Sequence, residues 1–127
     1  MKTLVVEDDL SSRLLLTTFL SRYSECHSAA SGKEGLEMFR TATGNGSPFD
    51  LFCIDILTLE MEAVKQIRAL EAANGILPAD GAKIITTTSV SDMKQVVRSF
   101  QELCDAYLVK PIDTAALLRQ MWSIGLL

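Results

Sequence analysis

Four places in the sequence carry residue types suited to metal and phosphate chemistry, and each closes a short apolar run. Glu7-Asp8-Asp9 follows Thr3 to Val6, Asp55 follows a run that starts at Phe49, Thr87-Thr88-Ser89 ends the run from Lys83, and Lys110-Pro111 follows Asp105 to Val109. If the runs are strands of one parallel sheet, their carboxyl ends share an edge, and ligands bind on that edge where the strand order reverses. Carboxylates gathered there repel one another unless a hard cation neutralises them, and Mg²⁺ takes one or two carboxylates together with water and phosphate oxygens. Glu7, Asp8 and Asp55 would supply that cage. Lys110 by charge and a hydroxyl of Thr87 or Thr88 by hydrogen bonding would hold the remaining oxygens of a phosphoryl group. Such a pocket favours a carboxylate nucleophile that becomes an aspartyl phosphate.

The rest of the chain supplies the elements that would place these groups. Short apolar runs alternate with longer helical patterns, the signature of an α/β domain with a parallel sheet. The first helix is predicted at Leu10 to Tyr23, with Leu14, Leu15, Thr18, Phe19 and Arg22 at helical spacings and Asp9 or Ser11 as its cap. Asp9 reads better as this cap than as a ligand. A weak second strand lies near Cys26 to Ala30. Ser31 and Glu34 form a possible capping box for a helix at Gly32 to Thr41. The third strand, ending at Asp55, is apolar enough to be buried on both faces. The third helix, Glu60 to Ala73, carries Met61, Val64, Ile67 and Leu70 as one buried stripe. A strand at Lys83 to Thr87, a helix at Asp92 to Leu103, a strand at Asp105 to Val109 and a helix at Thr114 to Ile124 capped by Asp113 complete five pairs.

Composition narrows the function classes. A chain of 127 residues is expected to form one domain. Its 48% hydrophobic and 22% charged residues exclude disordered, collagen-like and disulfide-scaffold classes. The formal charge is −4 and the 12 basic residues are scattered, so no basic patch for nucleic acid exists. Cys26, Cys53 and Cys104 lack any CxxC spacing, which argues against zinc and disulfides and favours a reducing, cytoplasmic setting. No signal-peptide pattern opens the chain, and no apolar run approaches the roughly 18 residues of a membrane span. His27, the single histidine, sits near the weak strand with no carboxylate partner evident, and reads as an ordinary surface residue.

Val5-Val6-Glu7-Asp8-Asp9, Asp50-Leu51-Phe52-Cys53-Ile54-Asp55, Ile84-Ile85-Thr86-Thr87-Thr88-Ser89 and Tyr107-Leu108-Val109-Lys110-Pro111, in this order and spacing, resemble the receiver domain of two-component response regulators. The likeness spans essentially the whole chain, which is similar to stand-alone receivers of the chemotaxis type. It implies a flavodoxin-like (βα)5 doubly wound parallel sheet with strand order 2-1-3-4-5. By the same resemblance Asp55 is the phosphoacceptor, and Glu7 and Asp8 are the acidic pair holding Mg²⁺. The backbone carbonyl of Leu57 is a further metal ligand, and Lys110 contacts the phosphoryl group before a cis proline bond. Thr88 stands 22 residues before Lys110, the usual family interval, and is the switch hydroxyl in preference to Thr87, with Tyr107 as its aromatic partner. The implied function is to accept phosphoryl from a sensor histidine kinase or histidine phosphotransfer protein and to switch the surface of the fourth helix, fifth strand and fifth helix. The resemblance further implies a single receiver domain over residues 1–127, without an output domain, acting on a downstream protein in trans. It would be a monomer or a weak phosphorylation-dependent dimer, and no enzyme beyond Mg²⁺-dependent self-phosphorylation and slow self-dephosphorylation.

The sequence departs from the family after Asp55. Leu59 stands where proline is usual and Ala63 where glycine is usual, which changes the backbone freedom of the segment bearing the Leu57 carbonyl. Leu103 replaces a common glycine, and the loop from Asn74 to Gly81 is long. Leu57 and Val90, both apolar, would screen an acyl phosphate from water. The departures keep open a degenerate receiver that binds partners without phosphorylation. A small nucleotide or flavin binder would want a glycine- or hydroxyl-rich loop where this chain has acids, and a phosphatase with a first-strand nucleophile would want a DxD pair.

Overall fold

The computed structural model of the protein describes residues 1–55, 60–100 and 103–127, with the side chains of 60, 61, 99 and 100 left aside. Its elements run β1 (Lys2–Val6), α1 (Leu10–Leu20), β2 (Glu25–Ala29), α2 (Gly32–Gly44), β3 (Leu51–Asp55), α3 (Glu60–Ala73), β4 (Lys83–Thr88), α4 (Val90–Phe100), β5 (Ala106–Val109) and α5 (Thr114–Ser123). The strands pair in parallel in the order β2-β1-β3-β4-β5, the flavodoxin-like arrangement. The order reverses between β1 and β3, so the crevice at their carboxyl ends is where a ligand site belongs.

Helices cover both faces, which is why Leu4 to Val6 of β1 and Leu51 to Ile54 of β3 are apolar without alternation. Side chains of successive strand residues leave opposite faces. Leu4, Val6, Phe52, Ile54 and Ile84 pack with Phe39 of α2, Val64 and Ile67 of α3 and Val96 of α4. Val5, Leu51, Cys53, Ile85 and Leu108 pack on the other face with Leu16 and Leu20 of α1 and Leu117 and Met121 of α5. At β1 the fit to α2 is close: a Cβ on Gly35 would stand 2.6 Å from the Val6 Cγ2.

Several element ends differ from the sequence expectation. α1 stops at Leu20, and its inward face is Leu16 and Leu20, while Leu14 and Leu15 are exposed. α2 runs three residues past Thr41 to Gly44, taking in the start of the expected turn. β3 begins at Leu51, after a Phe49 that is buried against Phe39. β4 extends to Thr88, α4 is Val90–Phe100, and β5 begins at Ala106 because Asp105 turns its carboxylate to the Ile84 N–H at 2.7 Å. His27 does have a carboxylate partner, Glu25 at 3.0 Å, and it meets the Phe49 ring edge-on. Asp9, Ser31 and Asp113 cap α1, α2 and α5 as anticipated.

Far from the ligand edge, Arg68 of α3 holds the amino ends of β4 and β5. Its guanidinium donates to the Leu103 and Ala82 carbonyls at 3.0 and 2.8 Å, to Glu71 at 2.9 Å and to Asp105 at 3.0 Å. The buried Glu71 carboxylate in turn accepts the Ala82 N–H at 2.7 Å. The planar fork of arginine suits this multiple recognition, and it sets the two strands that carry the threonines and Lys110.

Because Val6 is stiff and cannot retreat, Gly35→Ala is expected to lower stability by about 1–3 kcal/mol through overpacking. Denaturant unfolding measures it, and a variant as stable as the parent would show that α2 shifts at no cost.

Candidate functional site

β1 delivers Glu7 to the carboxyl edge in strand-like backbone, its N–H bonded to the Ala29 carbonyl at 3.1 Å. Arg13, one turn into α1, donates to the Glu7 carbonyl at 2.8 Å and so fixes the chain on both sides of the acid. The Glu7 carboxylate is only 1% exposed. Its Oε1 accepts the Asp9 N–H at 3.2 Å, and both oxygens accept from Lys110 Nζ, at 3.2 and 3.0 Å. The same ammonium lies 3.0 Å from Asp55 Oδ2, at the end of β3. Lys110 is held at the end of β5 by its own N–H on the Thr88 carbonyl at 2.8 Å, and the peptide to Pro111 is cis.

Glu7, Asp8 and Asp55 each offer a carboxylate oxygen, all within 4.8 Å of one another. Asp8 is exposed, whereas Glu7 and Asp55 are buried. Burial drives the Glu7 carboxyl up to about 7, opposed by the Lys110 and Asp9 hydrogen bonds and reinforced by the charge of Asp55. Burial works against the charge of Lys110, yet its hydrogen bonds to Asp55 and Glu7 leave its pKa above the ordinary value. Three clustered carboxylates, two of them sharing one ammonium, form an electron-rich pocket with more negative than positive charge. A hard divalent cation fits that donor set. The Leu57 carbonyl, anticipated as a further ligand, lies outside the described residues.

The polar end of β4 adds hydroxyls. Thr86, Thr87 and Thr88 are all buried. Among the described residues the Thr87 and Thr88 hydroxyls and the Tyr107 phenol, all buried, have no hydrogen-bond partner. Thr88 continues the sheet face of Ile84 and Thr86, and Tyr107 packs against the cluster on that face. Burial pushes the Tyr107 phenol up to about 12, so it is neutral at physiological pH. Val90 stands exposed at the start of α4.

The structure therefore gathers Glu7, Asp8, Asp55 and Lys110 into one pocket and places Thr88 and Tyr107 on one side of it. Sequence reasoning missed Arg13, whose spacing of six residues from Glu7 gives no signal until the turn into α1 is known. It also treated Thr87 and Thr88 as alternatives, although both present unpartnered hydroxyls.

The comparisons agree with this fold. A family model, response regulator receiver domain, matches residues 3–121. The co-crystal structure of the Saccharomyces cerevisiae histidine phosphotransfer signalling protein Ypd1 and the receiver domain of its downstream response regulator Ssk1 is 25% identical, with a TM-score of 0.78, covering 98% of this chain and 88% of that one. The N-terminal domain of an uncharacterised protein from Wolinella succinogenes is 27% identical, with a TM-score of 0.73 and coverage of 98% and 93%. A response regulator receiver domain protein from Clostridium thermocellum shares the fold at 22% identity, with a TM-score of 0.74 and coverage of 97% and 92%. No curated protein matches the chain.

The raised Glu7 carboxyl has a consequence for stability. Between its ordinary value of 4.5 and about 7 the folded protein holds a proton that the unfolded chain has lost, so this group makes stability fall as pH rises through that window. Without divalent cations, Tm is expected to fall from pH 5 to pH 7.5, and Glu7→Gln should flatten the fall. A wild-type fall that persists unchanged in Glu7→Gln would assign the effect elsewhere.

Proposed function

The chain belongs to the response regulator receiver family of two-component signalling, and we propose that it is a phosphoacceptor whose reacting group is Asp55. The observation that carries this is Lys110 bonded at once to Asp55 and to the buried Glu7, with Asp8 completing a three-carboxylate cluster. Glu7, Asp8 and Asp55 would hold Mg²⁺, which when bound supplies neutralisation of the carboxylates and of the phosphoryl oxygens. Lys110 can then turn from Glu7 to a phosphoryl oxygen. An Asp55 carboxylate oxygen attacks the phosphorus of a phosphohistidine; the new O–P bond forms as the P–N bond breaks, and the imidazole leaves with that electron pair and takes up a proton. Thr88 donates its hydroxyl to the phosphoryl group, Tyr107 occupies the space this leaves, and the α4, β5 and α5 surface changes. That surface would signal to a protein target in trans.

The proposed docking surface for the phosphodonor protein is on α1. Leu10 and Leu14, one turn apart, are 58% and 56% exposed on the helix that starts directly after Asp8 and Asp9. An apolar surface on the helix that follows the acidic pair suits docking of a helical partner, and a related receiver domain is seen with a histidine phosphotransfer protein. The setting proposed is the cytoplasm; among the described residues no helix is long and apolar enough to cross a membrane. Beyond accepting the phosphoryl group and losing it slowly, no catalysis is proposed.

Incubation with acetyl phosphate and Mg²⁺, followed by intact-mass measurement, is expected to show one phosphoryl adduct, absent in Asp55→Ala and decaying faster in Leu57→Asn. An adduct that survives Asp55→Ala contradicts the reading by placing the phosphoryl group elsewhere, and no adduct on the wild type contradicts it in favour of a phosphorylation-independent interaction module. Leu14→Glu is expected to take phosphoryl from acetyl phosphate normally but from a histidine phosphotransfer protein about tenfold or more slowly, the cost of one good apolar anchor. Equal slowing with both donors would place Leu14 in the pocket's integrity instead of docking.

A further inference from the structure

We propose that the Thr87 hydroxyl is a second hydrogen-bond donor to a phosphoryl group on Asp55, separate from the switch hydroxyl of Thr88. The proposal rests on the receiver reading above. In the parallel register Thr87 is the direct lateral partner of Asp55, so the two side chains leave the sheet on the same face. That face carries Cys53 and Ile85 below them, packed under α1 and α5. Glu7, two residues beyond Val5 on β1, continues the same face, which is thus the face of the carboxylates. Thr88 is one residue further and continues the opposite face, where Tyr107 packs. The two hydroxyls are therefore not interchangeable: one flanks the phosphoacceptor laterally, the other stands on the Tyr107 side.

Thr87 is 1% exposed, and its hydroxyl finds no partner among the described residues, whereas Thr86 Oγ1 lies 3.5 Å from the Ala106 carbonyl. A buried hydroxyl without a partner destabilises the fold, and valine would fill the same volume without that cost and with equal strand preference. In the free protein Lys110 occupies Asp55 Oδ2. Phosphorylation adds acceptor oxygens beside Thr87, and the donor then gains a charged partner.

Beryllofluoride with Mg²⁺, a non-covalent stand-in for the phosphoryl group, tests this by calorimetry, with melting of the free proteins alongside. Thr87→Val is expected to raise the Tm of the free protein and to weaken beryllofluoride binding about tenfold or more, as loss of a hydrogen bond to a charged group does. Thr87→Ser should bind as the wild type does. Binding by Thr87→Val within about twofold of the wild type would overturn the proposal alone. So would a lowered Tm of free Thr87→Val, since the hydroxyl would already be engaged, or a Thr87→Ser as weak as Thr87→Val, since the loss would follow the methyl group. A wild type that neither binds beryllofluoride nor takes up phosphoryl from acetyl phosphate overturns the receiver reading and this proposal together.

Discussion

One ammonium shared between two buried carboxylates organises this molecule. Lys110 Nζ reaches both oxygens of Glu7 and Oδ2 of Asp55 at 3.0 to 3.2 Å, and the residues stand at the carboxyl ends of β5, β1 and β3. Buried carboxylates repel each other and resist leaving water, so each needs a partner that the fold must bring from elsewhere in the chain. The parallel register meets this demand, because every strand ends on the same edge and the order reversal leaves the crevice between β1 and β3 free of a crossing connection. Arg13 on the Glu7 carbonyl and the Lys110 N–H on the Thr88 carbonyl then hold the ends in place.

The pairing is incomplete by design of charge. One lysine serves Glu7 and Asp55, and Asp8 lies within reach of both acids with its carboxylate exposed. Burial raises the Glu7 carboxyl, and the nearby charge of Asp55 adds to that rise. In the proposed function a divalent cation would relieve this excess and free the lysine for a phosphoryl oxygen. The unpartnered hydroxyls of Thr87 and Thr88 repeat the pattern on the donor side. Acceptors without enough cation and donors without acceptors stand at one edge, and the proposed phosphoryl group with its metal would satisfy both. The described core packs on two sheet faces, with the Arg68 network securing the sheet end opposite the carboxylates.

Much of this was legible in the sequence. Strands buried on both faces announce themselves as continuous apolar runs, and acids or a lysine at their ends are conspicuous, which is why Glu7, Asp8, Asp55 and Lys110 stood out. The inward face of α1 did not. Leu14, Leu15 and Leu16 are consecutive, and the 3.6-residue period alone cannot choose which lies inward; packing under β1 and β3 selects Leu16 with Leu20. That left the exposed Leu10 and Leu14 unrecognised as a surface. The Arg68 bond to Asp105 spans 37 residues and carries no local pattern, and the pair of His27 with Glu25 depends on a strand too polar to be read firmly. Thr87 and Thr88 looked like alternatives because spacing counts residues, whereas strand register assigns faces.

The central claim is that the lysine bridge belongs to the free protein and gives way when the carboxylates acquire a cation. A crystal structure with Mg²⁺ and beryllofluoride measures this most directly. The account predicts the metal among Glu7, Asp8 and Asp55, with Lys110 Nζ withdrawn from Glu7 and bonded to a fluorine on Asp55. Lys110 still bonded to both Glu7 oxygens, with no metal among the three carboxylates, would contradict it.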